Sequence, residues 1–175
     1  MDNPAGAIDT PTMSDTHQRL LDLLDGVSAQ YRIVEHEAEG RSEHISRIRG
    51  NDPGQAMKAL VCEVRGGGGG KRNVLAVIPG ILRLDMKALC RQVGAQKGRF
   101  ATPEDAEALT GCVMGSVPPF SFDAEALPLI VDEGFRAWEE VVFNAGRLDR
   151  SLFVRFEDYI RAAQPNFAAI ANKGA

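Results

Sequence analysis

The stretch Gly111-Cys-Val-Met-Gly-Ser-Val-Pro-Pro-Phe-Ser-Phe122 decides how the chain around it can fold. Its two glycines and two adjacent prolines exclude a regular helix or a central strand, because proline removes a backbone donor and restricts the residue before it. We therefore expect a stiff loop. The amides of Gly115, Ser116 and Val117 could converge there on an anion or on a developing oxyanion, and a tight surface turn between strands is the alternative.

The segments on either side of this loop predict the fold class. Helices are predicted at residues 17–24, 42–48, 85–93, 102–109 and 156–163, and strands at 31–37, 56–65, 73–78, 127–131, 140–143 and 151–155. Because short strands and short helices alternate irregularly, we expect an α+β fold. It is a single domain with a mixed, mostly antiparallel sheet of about six or seven strands and short flanking helices.

Local signals refine this prediction. Asp15 or Thr16 is the predicted cap of the first helix, Ser42 that of the second and Thr102 that of the fourth. The five glycines at 66–70 predict a hairpin turn, since a phosphate-binding loop would need a following helix. The expected domain covers residues 17–165, with a flexible lead-in at 1–16 and a C-terminal tail at 166–175.

Composition limits the function classes. The 175 residues carry a formal net charge of −4, and no apolar run is long enough to span a membrane. Since the N-terminal residues lack the pattern of a signal or transit peptide, we expect a cytoplasmic protein. Three widely spaced cysteines, Cys62, Cys90 and Cys112, argue against a disulfide framework and a zinc knuckle.

Lys58 is an unusual residue for its position in a predicted apolar strand. Side chains alternate between faces along a strand, so Lys58 shares a face with Leu60, Cys62 and Val64. A lysine there either extends to the rim of the sheet or stands in a pocket as a functional cation. The spacing alone leaves both interpretations open.

Other catalytic classes find little support in the sequence. The three histidines lack the spacing of metal ligands, so no metal site is expected. Ser116 lacks the Gly-x-Ser-x-Gly pattern of the turn that presents the nucleophilic serine in many hydrolases. Cys62 or Cys112 could attack a thioester or an amide only with a nearby histidine, and burial in the core is the favoured alternative.

Basic residues gather in one region of this acidic chain. A patch that could contact tRNA phosphates is predicted at Arg83, Lys87, Arg91, Lys97 and Arg99. A solvated helix face is the alternative interpretation of these charges.

Four short motifs resemble a known family. They are Val34-Glu-His36, Ala56-Met-Lys-Ala-Leu-Val61, Gly115-Ser-Val-Pro-Pro-Phe120 and Phe143-Asn-Ala-Gly146. Through their order and spacing, residues 20–163 resemble the bacterial YbaK/prolyl-tRNA synthetase editing-domain family of mischarged aminoacyl-tRNA deacylases. The free-standing YeaK-type members are the most similar.

This resemblance implies roles for particular residues. The strand lysine of that family is the residue most tied to activity and falls on Lys58. The loop glycine and proline fall on Gly115 and Pro119, so the substrate-binding segment would be Gly115, Ser116, Val117, Pro118 and Pro119. Pro118 stands where many relatives carry threonine or serine, which removes one more amide from the loop.

The resemblance also implies a reaction. We expect hydrolysis of the ester between a wrong amino acid and the terminal ribose of tRNA, without metal or cofactor, with serine esters preferred and alanine or threonine next. The tRNA acceptor end is the expected partner, and an aminoacyl-tRNA synthetase a possible second one. A non-catalytic module that binds aminoacyl-adenosine or an amino acid is the alternative, and the general base and the oligomeric state stay open.

Overall fold

The computed structural model describes residues 13–173. Five α-helices occur in this part of the chain: α1 Met13–Gly26, α2 Ser42–Arg49, α3 Met86–Val93, α4 Pro103–Thr110 and α5 Phe156–Ala163. The ten strands are β1 Tyr31–Glu35, β2 Met57–Arg65, β3 Arg72–Pro79, β4 Arg83–Leu84, β5 Lys97–Phe100, β6 Leu129–Asp132, β7 Glu140–Asn144, β8 Arg150–Arg155, β9 Asn166–Ala168 and β10 Ala171–Asn172. Most of the predicted lead-in lies outside the described residues. No helix in the described range is both long and apolar enough to cross a membrane.

The strands form three sheets. A five-stranded sheet has the order β5-β2-β3-β6-β9, a three-stranded sheet the order β1-β8-β7, and β4 pairs with β10. The pairs β2–β3 and β2–β5 are antiparallel, whereas β3–β6 and β6–β9 are parallel. The predicted α+β class with mixed strand pairing is confirmed, and the sheets contain more strands than predicted.

The glycine run joins β2 to β3 as a plain turn. The two strands pair from Met57↔Pro79 to Val64↔Arg72, so the predicted hairpin is confirmed. Gly67 has a φ of +73°, and a Cβ on it would lie 1.8 Å from the carbonyl oxygen of Gly94. Only glycine fits this approach between the turn and the end of α3.

The two faces of β2 and β3 supply two hydrophobic clusters. On one face, Met57, Val61 and Val77 belong to the larger cluster, which includes residues of α1 and α5. On the other face, Cys62 and Val64 pack with residues of α3. This alternation is what a strand buried on both faces requires, and it fixes which side chains of β2 meet which helix.

Several local predictions need correction. Asp15 and Thr16 lie inside α1, which begins at Met13, so neither is its cap. Arg41 rather than Ser42 precedes α2 as its cap residue. Thr102 does cap α4, because its hydroxyl accepts a hydrogen bond from the Asp105 amide.

Residues after Pro165 were expected to form a tail, yet they extend the sheet. Strand β9 pairs with β6 and β10 pairs with β4. The buried Asp132 fixes this segment, since its Oδ1 accepts hydrogen bonds from the amides of Ile170 and Ala171. The short strands carry no apolar alternation of their own, so their pairing depends on contacts with distant residues.

Candidate active site

A cavity of about 390 Å³ opens beside β2. Its walls come from α2, β2, the end of β5, α4 and the loop after α4. The lining residues are Gly40, Ser42, Ile45, Arg49, Ala56, Met57, Lys58, Ala59, Leu60, Val61, Phe100, Ala101, Ala106, Met114, Gly115, Val117 and Asn144. Most of these side chains are apolar, and none is a carboxylate.

The cavity lies where the edge of β2 has a gap. Pairing with β5 covers only Cys62–Arg65, and Val61 accepts a hydrogen bond from Ala101. At the start of the strand, Ala56 forms an isolated bridge with Val142. Because peptide groups alternate direction along a strand, the backbone N–H and C=O of Ala59 face this gap. On this edge of β2, the cavity therefore offers a ligand the main-chain donor and acceptor of Ala59.

Lys58 lines the cavity from the first third of β2. Its half-buried Nζ donates hydrogen bonds to the carbonyl oxygens of Leu82, at 3.0 Å, and Gly80, at 3.4 Å. Burial, followed by the positive charge of Arg83, lowers the pKa of Lys58 below its usual value. An ammonium has three hydrogens, so one remains for a ligand while the two carbonyls fix the direction of the side chain.

The loop delivers only part of its predicted binding segment to the cavity. Gly115 and Val117 line it, and their amides make no hydrogen bond within residues 13–173. The expectation that three amides converge is wrong for Ser116. This residue is fully buried, and its amide donates a hydrogen bond to the carbonyl of Val113. Pro118 faces a neighbouring cleft on the outer side of the loop. The carbonyl of Pro119 accepts a hydrogen bond from the buried hydroxyl of Tyr159.

Gly115 and Gly40 approach each other at the wall of the cavity. Gly115 has a φ of +87°, and a Cβ placed on it would lie 2.8 Å from the Cα of Gly40. A Cβ on Gly40 would in turn lie 3.3 Å from the Cα of Gly115. The conformation and the close contact at Gly115 thus require glycine, and Gly40 leaves the space that the loop occupies.

The Phe143–Gly146 motif holds the loop in place. Asn144 Nδ2 donates to the carbonyl of Gly115 at 2.8 Å and to that of Glu39 at 3.2 Å. The amide of Gly146 donates to the carbonyl of Ser116 at 3.0 Å. Two of the sequence motifs are therefore neighbours in space, and one positions the other.

A mostly buried arginine, Arg49 at the end of α2, also lines the cavity. Its Nη1 donates to Ser151 Oγ at 3.1 Å and its Nε to Asn51 Oδ1 at 3.0 Å. Ser151 Oγ donates in turn to Asn144 Oδ1 at 3.0 Å. Burial lowers the pKa of Arg49 to about 10, so the guanidinium is still charged at neutral pH.

The predicted basic residues all lie at the surface but do not share one cleft. All five are exposed: Arg83, Lys87, Arg91, Lys97 and Arg99. Lys87, Arg91 and Lys97 share a shallow cleft between α3 and β5. Arg99 instead pairs with the carboxylate of Glu63 at 3.3 Å.

Glu63 is the centre of a cluster of cations. Its side chain is only 3% exposed, and Arg65, Lys71 and Arg99 each place a nitrogen within 3.4 Å of its oxygens. Hydrogen bonds, that from Arg99 first, lower the pKa of Glu63 to about 2. One carboxylate thus holds three cations together, and the cluster keeps a net positive charge.

The cysteines and histidines do not assemble a second kind of centre. Cys62, Cys90 and Cys112 are buried and none lines the cavity. Burial raises the pKa of Cys62 to about 12 and also raises that of Cys112, which disfavours the reactive thiolate. Within residues 13–173, no three His, Cys, Asp or Glu side chains form a group that could hold a metal ion.

Sequence reasoning missed four residues of the site: Gly40, Arg49, Phe100 and Asn144. Asn144 belongs to the Phe143–Gly146 motif, but no role in the site was predicted for it. Phe100, which is 57% exposed at the mouth of the cavity, ends a polar strand that no pattern predicted. Gly40 and Arg49 carry no local signal, because each acquires its place from residues far away in the chain.

Comparisons with known sequences identify relatives of the chain. A sequence model of the aminoacyl-tRNA editing domain matches residues 36–162. Over 153 residues the chain is 44% identical to the multifunctional Ser/Thr-tRNA deacylase ProXp-y of Escherichia coli (strain K12), covering 87% of this chain and 90% of that protein.

Solved structures give the same fold. One described as a candidate trans-editing enzyme for prolyl-tRNA synthetase matches with a TM-score of 0.73 and 26% identity, over 90% of this chain and 97% of the other. A protein described only as hypothetical has a TM-score of 0.77 at 19% identity, over 88% and 99% of the two chains, and is similar in fold.

The family match spans all four motifs from which the resemblance was drawn, except the first two residues of the earliest one. It includes Lys58, Gly115 and Asn144, the residues that the fold brings to one cavity. The chain therefore belongs to the aminoacyl-tRNA editing-domain family.

Proposed function

We propose that the protein hydrolyses the ester between a wrongly attached small amino acid and the terminal ribose of tRNA, with serine and threonine as its main substrates. The observation that carries this proposal is a cavity that unites Lys58, Gly115 and Val117 in a chain 44% identical to a Ser/Thr-tRNA deacylase. Free amino acid and tRNA with a restored terminal hydroxyl are the products.

The reaction requires few groups from the protein. Water adds to the ester carbonyl carbon, the bond to the ribose oxygen breaks, and that oxygen takes up a proton. Because the ester is already reactive, positioning and stabilisation of the oxyanion are the main needs. The amides of Gly115 and Val117 are the proposed oxyanion donors, and Lys58 is the proposed contact to the ribose or its phosphate. A ribose hydroxyl of the substrate is the proposed proton acceptor.

The walls of the cavity suggest the order of preference. Met57 and Val117 narrow the cavity, whereas the bulky Phe120 of the same loop lies in the core. A pocket excludes larger groups by steric clash but discriminates against a missing methylene by only about 1–3 kcal/mol. We therefore expect serine esters to be cleaved fastest, alanine and threonine esters next, and proline or larger residues to be spared.

Binding of the tRNA is assigned to exposed cations. We propose that Arg83, Lys87, Arg91, Lys97 and Arg99 contact phosphates of the acceptor end. Their exposure supports this assignment. Lys97 and Arg99 lie on β5, which leads to the cavity, and Lys87 and Arg91 lie on α3 beside it. Arg83 lies close enough to Lys58 to affect its pKa.

A panel of tRNAs charged with Ser, Thr, Ala, Cys or Pro tests the function. With enzyme far below substrate, multiple turnovers of the Ser and Thr esters are expected. Saturable binding without turnover would identify a sensor or a synthetase partner instead. Fastest cleavage of prolyl- or cysteinyl-tRNA would refute the serine preference and leave the deacylase class intact. Repeating the panel with an added synthetase tests whether one acts as a partner.

A further inference from the structure

We propose that Arg49 binds the phosphate that precedes the terminal ribose of the tRNA and thereby places the ester in the cavity. This inference rests on the proposed function and assigns a substrate contact to a residue outside the sequence motifs. It concerns substrate recognition rather than the chemical step.

The first observation is the position of Arg49. The residue ends α2, lines the cavity and is mostly buried. A buried cation is costly unless an anion or several hydrogen bonds compensate it. In the described part of the chain, the side-chain partners of Arg49 are neutral oxygens of Asn51 and Ser151, and no carboxylate pairs with it. The site therefore lacks the negative charge that such a guanidinium favours.

The second observation is the freedom of one end of the guanidinium. Nε and Nη1 donate to fixed oxygens, whereas Nη2 makes no hydrogen bond within residues 13–173. No carboxylate lines the cavity, so an entering anion meets no like charge there. A planar guanidinium held at two nitrogens is well suited to bind phosphate oxygens with the remaining one.

The third observation links Arg49 to the loop. Arg49 donates to Ser151, Ser151 donates to Asn144, and Asn144 donates to the carbonyl of Gly115. The cation and the proposed oxyanion donors are thus held by one chain of hydrogen bonds. A phosphate bound at Arg49 would therefore stand at a fixed distance from the loop amides, which is what placement of the ester requires.

Two small ribose esters distinguish a phosphate contact from a structural or catalytic role of Arg49. 3′-O-Seryl-adenosine (seryl-adenosine) lacks the phosphate. 3′-O-Seryl-AMP (seryl-AMP) carries serine on the same ribose hydroxyl and a free phosphate on the 5′ carbon. Loss of one charge-assisted contact corresponds to at least about a tenfold change, so wild-type protein should show kcat/KM at least about tenfold higher for seryl-AMP. Arg49→Gln should lower this ratio at least several-fold by slowing seryl-AMP alone, and Arg49→Lys should keep part of it.

Arg47→Gln is the matched control, because Arg47 is exposed on the same helix and does not line the cavity. It should keep the wild-type ratio. Equal slowing of both esters by Arg49→Gln would indicate a structural or catalytic role and overturn the proposal, as would a wild-type ratio near one.

If wild-type protein cleaves neither ester, the deacylase assignment is in doubt, and binding then decides the role of Arg49. Calorimetry with AMP and adenosine should show wild-type protein preferring AMP, and Arg49→Gln should reduce that preference at least several-fold. Equal affinity of wild-type protein for AMP and adenosine would overturn the phosphate contact independently of turnover.

Discussion

The side-chain amide of Asn144 donates a hydrogen bond of 2.8 Å to the carbonyl oxygen of Gly115, 29 positions earlier in the chain. The same nitrogen reaches the carbonyl of Glu39, so one side chain ties together the loop and the segment before α2. This contact therefore helps to keep the wall of the cavity ordered.

Asn144→Ala should lower both stability and activity. It removes two part-buried hydrogen bonds, each of which contributes about 0.5–1.5 kcal/mol. Thermal unfolding and seryl-tRNA turnover measure the two effects. Asn166→Ala, in the exposed start of β9, should change neither by a comparable amount. Normal turnover by a destabilised Asn144→Ala protein would show that the loop keeps its place without this amide.

Lys58→Ala should reduce deacylation at least about tenfold with the fold intact, because a positioned charged contact is worth about 1.5–3 kcal/mol. Circular dichroism and single-turnover rates test this expectation. Lys173→Ala, at an exposed position, is the control. A folded Lys58→Ala protein with the wild-type rate would make Lys58 a rim residue without a role in the reaction.

Gly115→Ala should lower stability by more than the cost of its positive φ alone. Gly68 has a similar φ of +84° but open space around it, whereas Gly115 faces the backbone of Gly40. Gly68→Ala should thus cost about 1–2 kcal/mol for the left-handed conformation and leave turnover unchanged. Gly115→Ala should cost more and slow turnover. Equal losses of stability in the two variants would mean that the loop can move away from Gly40.

Replacing Lys87 and Arg91 together by alanine should weaken binding about equally for every amino acid on the tRNA. Each phosphate contact in a duplex contributes about −0.9 to the slope of log K against log salt concentration. Loss of two contacts should therefore make the slope shallower by up to about 1.8. Filter binding over a salt series gives this slope. Replacement of Arg32 and Arg155, which do not line the cavity, is the control. An unchanged slope for the first pair would place the tRNA on another surface.

Glu63 should make stability sensitive to acid. Its pKa is about 2 in the folded protein against 4.5 for an ordinary glutamate, so its contribution is complete above pH 4.5 and is lost as the pH falls towards 2. Glu63→Gln should be less stable than wild type at pH 7, and the difference should shrink below pH 4.5. Denaturant titrations across this range measure it, with Glu125→Gln as an exposed control. A difference independent of pH would show that the charge of Glu63 contributes nothing.

Sequence reasoning worked where the signal was local. The hairpin of β2 and β3 is predicted by two apolar runs on either side of five glycines. The start of α4 is predicted by Thr102, whose hydroxyl can cap a helix, and by the proline that follows it. The face of β2 that carries Lys58 follows from alternation along the strand, whereas its place in a pocket does not. In each case the residues that carry the pattern also make the structure.

The prediction failed where distant residues decide the structure. Strand β5, with the sequence Lys97-Gly-Arg-Phe100, is polar and forms because β2 offers it an edge. Arg49 is turned inward by Ser151, which lies 102 positions further along the chain. Neither contact leaves a periodic pattern in the sequence, so no reading of local composition could have found it.

The gap in β2 beside Ala59 also affects how the protein resists aggregation. A free strand edge is a template on which another chain can add a strand. Here the edge is interrupted on both sides of Ala59, by the bridge from Ala56 to Val142 and by the hydrogen bond from Ala101 to Val61. A compact ligand can use the short free edge at Ala59, whereas an extended polypeptide finds no continuous row of partners. The opening into the cavity is thus a poor template for strand addition.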